Sequence, residues 1–269
     1  MNGSTLRETA IMTKKGVKLK KPILIVGLPG IGNVGKLVVE HLRREFGATR
    51  FATVYSPHFP HQVVMLKSGA VRLVSNRMYF IKSKRPNGSD IVLLTGDVQA
   101  VTPEGQYEVN SKIVEFFKNQ LNGTFIYTIG GYSTGEAIVK APRVFGNATS
   151  KEVIKGFDGD SILFGKSRGV IWGSAGLIIA FAKMYGLNGI CLMGETSFLD
   201  VAASAAKAVL LALAKRLQLN INTTNLDKII TKTANAVRDL EAQAGMGVQM
   251  PFQPEGEPGK PGERPSYIR

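Results

Sequence analysis

Residues Pro22–Lys36 read Pro-Ile-Leu-Ile-Val-Gly-Leu-Pro-Gly-Ile-Gly-Asn-Val-Gly-Lys, and the fold turns on this stretch. Ile23–Val26 is a short apolar run with strand character. Gly27, Gly30, Gly32 and Gly35 follow it. From Val34 the apolar residues recur at helical spacing, with Val34, Leu37, Val38, His41, Leu42 and Phe46 on one face and Gly47 as the stop. Strand, glycine turn and helix together open an α/β domain.

The turn fits two phosphate-binding patterns. Gly30, Gly32 and Gly35 match Gly-x-Gly-x-x-Gly, and Gly30 through Gly35-Lys36 match Gly-x4-Gly-Lys. Each pattern lacks the residue its chemistry needs. A dinucleotide site wants an acid at the end of the second strand to hold the ribose. Tyr55-Ser56-Pro57 stand there instead. A phosphate-binding loop wants a hydroxyl after the lysine to hold Mg²⁺, and that position is Leu37. The four glycines therefore read as structural, letting the backbone turn sharply and the helix close on the strand. The alternative is a nucleotide- or nucleoside-binding enzyme that uses this loop and the cleft at the strand ends.

Further along, Phe51–Tyr55 and Ile91–Thr95 are strands, and the second has the continuous apolar character of a parallel strand covered on both faces. Residues 62–66 and 70–81 read as strands around the turn Lys67-Ser68-Gly69. Thr102-Pro103-Glu104 is a helix start with N-cap, N1 proline and an acid in the first turn. Phe125–Ile129 is a core strand closed by Gly130-Gly131. A short helix and a hairpin are expected in the irregular segment that follows. Gly169–Gly173 is read as a strand, Leu177–Tyr185 as a helix and Gly189–Met193 as another strand. Ser197 with Asp200 and Thr224 with Asp227 have the form of capping boxes, each before a helix. The last of these helices carries Leu226, Ile229, Ile230, Thr233, Val237 and Leu240 on one face and runs to Ala244.

This gives three parts: a basic flexible arm over 1–21, one α/β domain over 22–244, and a Pro/Gly-rich tail over 245–269 that is disordered by composition. The tail ends Ser266-Tyr267-Ile268-Arg269, apolar residues at the tip of a polar linker, in the manner of a docking peptide. Residues Gly245–Pro265 would span roughly 25 Å as a coil.

The formal charge is +14. Residues 1–22 hold Arg7, Lys14, Lys15, Lys18, Lys20 and Lys21 against Glu8, the tail is neutral, and no dense basic run occurs between them. Nucleic-acid binding is not expected from that distribution. No apolar stretch is long enough for a membrane span and no signal-peptide core is present, so the expected location is the cytoplasm. The single cysteine, Cys191, sits in an apolar run as a reduced core thiol. His41 reads as a partly buried helix residue. His58 and His61 are three residues apart, but with no third ligand nearby no metal site is expected. Asp97, Glu104, Glu195 and Asp200 lie just beyond strands, the edge where open α/β sheets place their sites, while Glu104, Asp200 and Glu136 can equally be helix-start or solvated loop residues. No nucleophile–base arrangement accompanies them, so neither catalytic residues nor a cofactor are expected.

These segments together resemble the proteasome assembly chaperone family in its archaeal branch. The resemblance rests on Gly27 to Gly35, on Leu94-Thr95-Gly96-Asp97-Val98-Gln99 with Thr102 to Tyr107, on Gly130-Gly131, and on Gly194-Glu195-Thr196 with Asp200. It covers residues 20–244 in order. It implies a three-layer α/β/α fold with a mostly parallel or mixed central sheet, similar to nucleoside phosphorylases and without an established enzymatic role. It further implies a homo-oligomer that binds the α-subunit ring of the 20S proteasome. Some family members do so through a flexible C-terminal tail ending hydrophobic-Tyr-any residue. Here Tyr267 is third from the end, followed by Ile268 and Arg269, while the linker-plus-anchor design is kept.

Overall fold

The computed structural model describes residues 6–133, 141–166, 169–196 and 202–232. In chain order the strands are β1 (Ala10–Thr13), β2 (Ile23–Val26), β3 (Thr49–Tyr55), β4 (Val63–Met65), β5 (Val71–Leu73), β6 (Asn76–Ile81), β7 (Ile91–Gly96), β8 (Phe125–Ser133), β9 (Val144–Ala148), β10 (Leu163–Phe164) and β11 (Asn188–Thr196). The helices are α1 (Val34–Glu45), α2 (Pro103–Asn119), α3 (Lys151–Lys155), α4 (Ser174–Met184) and α5 (Ala202–Leu217). Residues 224–231 are also helical.

Nine strands form one mixed sheet in the order β1-β3-β6-β7-β2-β8-β11-β9-β10. Its centre, β7-β2-β8-β11, is parallel. β8 and β11 stay in register from Phe125↔Asn188 to Ser133↔Thr196. Successive side chains of a strand point to opposite faces, and here both faces are covered. Leu24 and Val26 pack with Ile113 and Phe117 of α2 and Ile178 of α4, whereas Ile25 packs with Val38 and Leu42 of α1 and Val209 and Leu213 of α5. The three α/β/α layers follow from that alternation.

Local signals explain the helices. Val34, Val38 and Leu42 are fully buried at i, i+4, i+8, the stripe that seats α1. The Thr102 hydroxyl accepts from Gly105 N at 3.1 Å and Pro103 occupies the first turn of α2. Cys191 is completely buried, and burial pushes its thiol up to about 11. His41 is buried on α1 with no hydrogen-bond partner at Nε2.

Several expectations need correction. Residues 9–21 do not form an arm. β1 pairs antiparallel with β3, from Ala10↔Tyr55 to Thr13↔Ala52. Thr9 N donates to Glu108 Oε1 at 2.7 Å, and Lys20 N to Asp90 Oδ2 at 2.8 Å. Gly169–Gly173 is not a strand, because Gly169 (φ +113°) and Gly173 (φ +74°) leave the extended region. Gly130-Gly131 does not close β8, which continues to Ser133. In the irregular segment α3 is the expected short helix, but β9 and β10 are parallel neighbours rather than a hairpin, and β9 runs antiparallel to β11. Near the last helix, Asp227 is bonded by Thr223 Oγ1 at 3.1 Å rather than boxed with Thr224.

The chain divides into two units, Met1–Thr231 and Lys232–Arg269. The expected boundary at Ala244, the helix positions Thr233, Val237 and Leu240, and the whole tail lie outside the described residues, as do Glu136, Ser197 and Asp200. No helix among the described residues is long and apolar enough to cross a membrane.

Candidate functional site

The parallel strands run β7-β2-β8-β11 across the sheet, so the chain leaves β2 to one side and later crosses to the other. Open α/β sheets carry a crevice at such a switch point, outside the carboxyl ends of the strands. Here a cleft of about 420 Å³ opens between β2 and β8, with Leu28, Ile31, Tyr132 and Trp172 among its walls and Gln99 and Gln106 as its polar groups.

The glycine turn forms one wall. A Cβ on Gly27 would stand 2.0 Å from the carbonyl oxygen of Gly35, and one on Gly35 would stand 2.3 Å from that of Ile129. Only bare backbone permits three chain segments to meet so closely. Gly32 adopts φ +58°, whereas Gly30 is extended, and a Cβ there would make only an ordinary van der Waals contact with Gln99 Nε2 at 3.6 Å. Leu37, at the position of the missing hydroxyl, packs against the α1/α5 core.

Gln99 dominates the polar geometry. Its Nε2 donates to Pro29 O at 2.5 Å and its Oε1 accepts from Ser174 N at 2.9 Å. One neutral amide thus ties the glycine turn to the first residue of α4, supplying that helix start with an acceptor where an anion would otherwise be favoured. Gln106 Nε2 donates to Ala100 O at 2.6 Å, and Asn110 Nδ2 to Gln106 Oε1 at 3.0 Å.

Two of the carboxylates flagged along the strand ends, Asp97 and Glu195, are bound. Asp97 receives Arg72 at 2.6 Å, Arg77 at 2.6 Å and Ser75 N at 3.0 Å. Burial alone would raise its carboxyl. The two guanidinium groups and the amide outweigh burial and hold it far below the usual carboxylate range. Glu195 is held down chiefly by Arg143, whose Nε donates to it at 2.8 Å and whose backbone N at 3.0 Å. Glu104 lies exposed in the first turn of α2. His58 Nε2 lies 3.0 Å from Glu108 Oε2, and His61 is exposed away from that pair. Among the described residues no group of three or more His, Cys, Asp or Glu could hold a metal.

Around these paired charges the surface is apolar. Of fourteen large apolar side chains left exposed among the described residues, nine belong to this end: Ile31, the β4–β5 hairpin with its turn (Val63, Met65, Leu66, Val71, Leu73), Val101, Val170 and Trp172. Met65 is 85% and Trp172 83% exposed. Large exposed apolar side chains are thus concentrated at this end rather than scattered evenly over the described surface. The arrangement offers burial and neutral hydrogen bonds, with its strongest charges already compensated.

The model of the PAC2 family matches residues 24–241. The chain belongs to the PAC2 family. The resemblance drawn from the glycine turn, the Asp97 segment, Gly130-Gly131 and the Glu195 segment thus holds across the domain. PbaB of Pyrococcus furiosus, described as an archaeal proteasome activator, is 38% identical and superposes with a TM-score of 0.82, covering 87% of this chain and 99% of that one. PbaA of the same organism, described as an archaeal homologue of proteasome-assembly chaperone, shares the fold at 23% identity and a TM-score of 0.73, covering 89% of this chain and 94% of that one. The uncharacterized protein MJ1210 of Methanocaldococcus jannaschii is 38% identical over 210 residues, 78% of this chain and 79% of its own.

The sequence pointed to Asp97 and Glu195 but not to Arg72, Arg77 and Arg143, which bind them from 20 to 52 residues away. Nor did it give Gln99 its bridging role. Its one signal was position, two residues beyond an acid at a strand end. Ser266, Tyr267, Ile268 and Arg269 lie outside the described residues.

Proposed function

We propose that this PAC2 protein is a cytoplasmic proteasome-binding factor that acts on the α-subunit ring of the 20S particle as a homo-oligomer. The observation that carries the reading is the likeness to PbaB, at 38% identity over nearly the whole of that activator. At that identity the likeness favours activation of the particle over a role confined to assembly. The paired carboxylates, the amide-bridged cleft and the apolar rim support a protein that works by contact. In this reading the 245–269 segment is a linker whose Tyr267 and Ile268 bury apolar surface on the ring, flanked by Ser266 and Arg269. Display of several such segments by one oligomer strengthens weak single contacts through effective concentration.

The test is co-purification of 20S α subunits, with fluorogenic peptide hydrolysis by the 20S particle as the second readout. Full-length protein should retain α subunits and accelerate hydrolysis, and the chain cut after Gly245 should lose both. Equal retention by the cut chain would remove the tail from the mechanism. Failure of the full-length protein to retain α subunits would overturn the reading.

The second reading is an enzyme or carrier acting on a nucleotide or nucleoside, and the observation favouring it is the cleft at the switch point. Calorimetry with ATP, NAD, nucleosides and phosphate distinguishes the two. Submillimolar binding lost in Trp172→Ala would favour this reading, and no heat with any of them would remove it.

A further inference from the structure

The end of the sheet opposite the cleft carries a second and larger groove, about 1190 Å³, between the β6–β7 loop and the C-terminal ends of α1 and α5. Its floor is apolar and half-buried: Phe46, Phe80, Ile81 and Leu219. Its charged lining consists of Lys82, Lys84, Arg85 and Arg216 against one acid, Glu45, a net charge of +3.

Local structure accounts for part of that charge. Lys82 Nζ pairs with Asp90 at 2.9 Å. Arg85 donates to Leu217 O at 3.0 Å and to Gln218 Oε1 at 2.5 Å, a cation placed on the last carbonyls of α5. Arg216 stacks 4.4 Å over the Phe157 ring. These partners, apart from Asp90, are neutral, so the charges of Arg85 and Arg216 stay uncompensated. Lys84 is exposed, and among the described residues no ion pair or hydrogen bond of its ammonium is found. Glu45 accepts only a long bond from Asn222 N at 3.4 Å.

We infer that this amino-end groove is a docking site for an acidic segment of another protein, one that carries apolar side chains between its acids. The charge complementarity selects the acids and the half-buried floor selects the apolar residues. A nucleic acid fits less well. Its binding sites pair cations with exposed aromatic faces for stacking, whereas the rings here are half-buried and the exposed Trp172 belongs to the other end of the sheet. The groove lies apart from the cleft and its apolar rim, so the inference stands independently of the proteasome reading.

The test is fluorescence anisotropy with the full chain and a labelled peptide of about twelve residues alternating Glu with Leu or Phe. Comparison ligands are poly-glutamate of the same charge and a single-stranded oligonucleotide of the same charge. The alternating peptide should bind at least about tenfold more tightly than either. Lys84→Glu, which breaks no contact, should weaken it at least about fivefold, while Lys67→Glu in the β4–β5 turn makes the same change in net charge and should leave it nearly unchanged. Equal weakening by the two variants would reduce the effect to overall charge and overturn the inference. So would an unmeasurable affinity for the alternating peptide, and tighter binding of the oligonucleotide would assign the groove to nucleic acid.

Discussion

The two ends of the central sheet are built from the same strands and helices yet have opposite surface chemistry. At the carboxyl end the strand-end acids are held in ion pairs, Asp97 by Arg72 and Arg77 and Glu195 by Arg143, and large apolar side chains stand exposed there. At the amino end the groove floor of Phe46, Phe80, Ile81 and Leu219 is half-buried, and cations stand around it, some paired as Lys82 is with Asp90 and others exposed as Lys84 is. Each long helix brings basic residues there in its last turn: Arg43 and Arg44, Lys118, Lys183, Lys215 and Arg216. A cation at a helix C-terminus is favoured by the dipole, and in an α/β fold all these termini converge on one end. Part of the net charge of +14 is thus gathered at the amino end of the sheet by the helix termini.

The comparison can be broken by finding that both ends respond alike to substitution. The largest effect is expected at the glycine turn. Gly27→Ala places a Cβ 2.0 Å from a backbone oxygen and should cost about 3 kcal/mol or more, or prevent folding. Gly30→Ala, whose Cβ would only touch Gln99 Nε2 at van der Waals distance, should cost under about 1 kcal/mol. Urea unfolding of the pair decides whether packing fixes this wall. Next is Asp97→Asn, which leaves Arg72 and Arg77 facing each other without a counter-charge and should cost about 3 kcal/mol in the same assay.

At the amino end Arg85→Ala should cost only about 0.5–1 kcal/mol, the loss of a dipole-favoured contact to α5. A penalty as large as that of Asp97→Asn would erase the contrast. The Glu108 contact is smaller and local. Hydrogen bonds from Thr9, with His58 beside it, draw its carboxyl from an ordinary 4.5 to about 2. Because the folded value is depressed, this contact contributes in full above pH 4.5 and is lost as pH falls toward 2. The Thr9 amide resonance should follow a midpoint near 2, and a midpoint near 4.5 would show that the bond is not made. Lys84→Ala should leave stability within about 0.5 kcal/mol, as an exposed residue without a partner.

What was legible in the sequence followed the range of the interaction. Ile23–Val26, Ile91–Thr95 and the Thr102-capped α2 could be read because periodicity and caps act within a few residues. β1 could not, because Ala10–Thr13 is four residues long and is held by β3 and by Glu108, 99 residues beyond Thr9. Gly169–Gly173 looked like a strand through Val170 and Ile171, but the glycines at its ends, which composition counts as mere breaks, turn the backbone out of extension. For the site, the glycine turn and the strand-end acids were visible. The arginines that bind those acids, and the gathering of basic helix ends, depend on which segments the fold brings together. Nothing in local sequence encodes that.

β1 has a further consequence. A nine-stranded open sheet has two margins with unpaired backbone donors and acceptors, and such margins recruit stray strands. On one side the margin is β10, only two residues long. On the other, the seven-residue β3 would lie bare if the N-terminal segment were absent. Ala10–Thr13 covers its last four residues, from Ala52 to Tyr55, leaving a shorter edge outside. The short N-terminal strand thus shields the fold against edge-to-edge aggregation, and a chain trimmed to begin at residue 22 would expose the longer strand as a template.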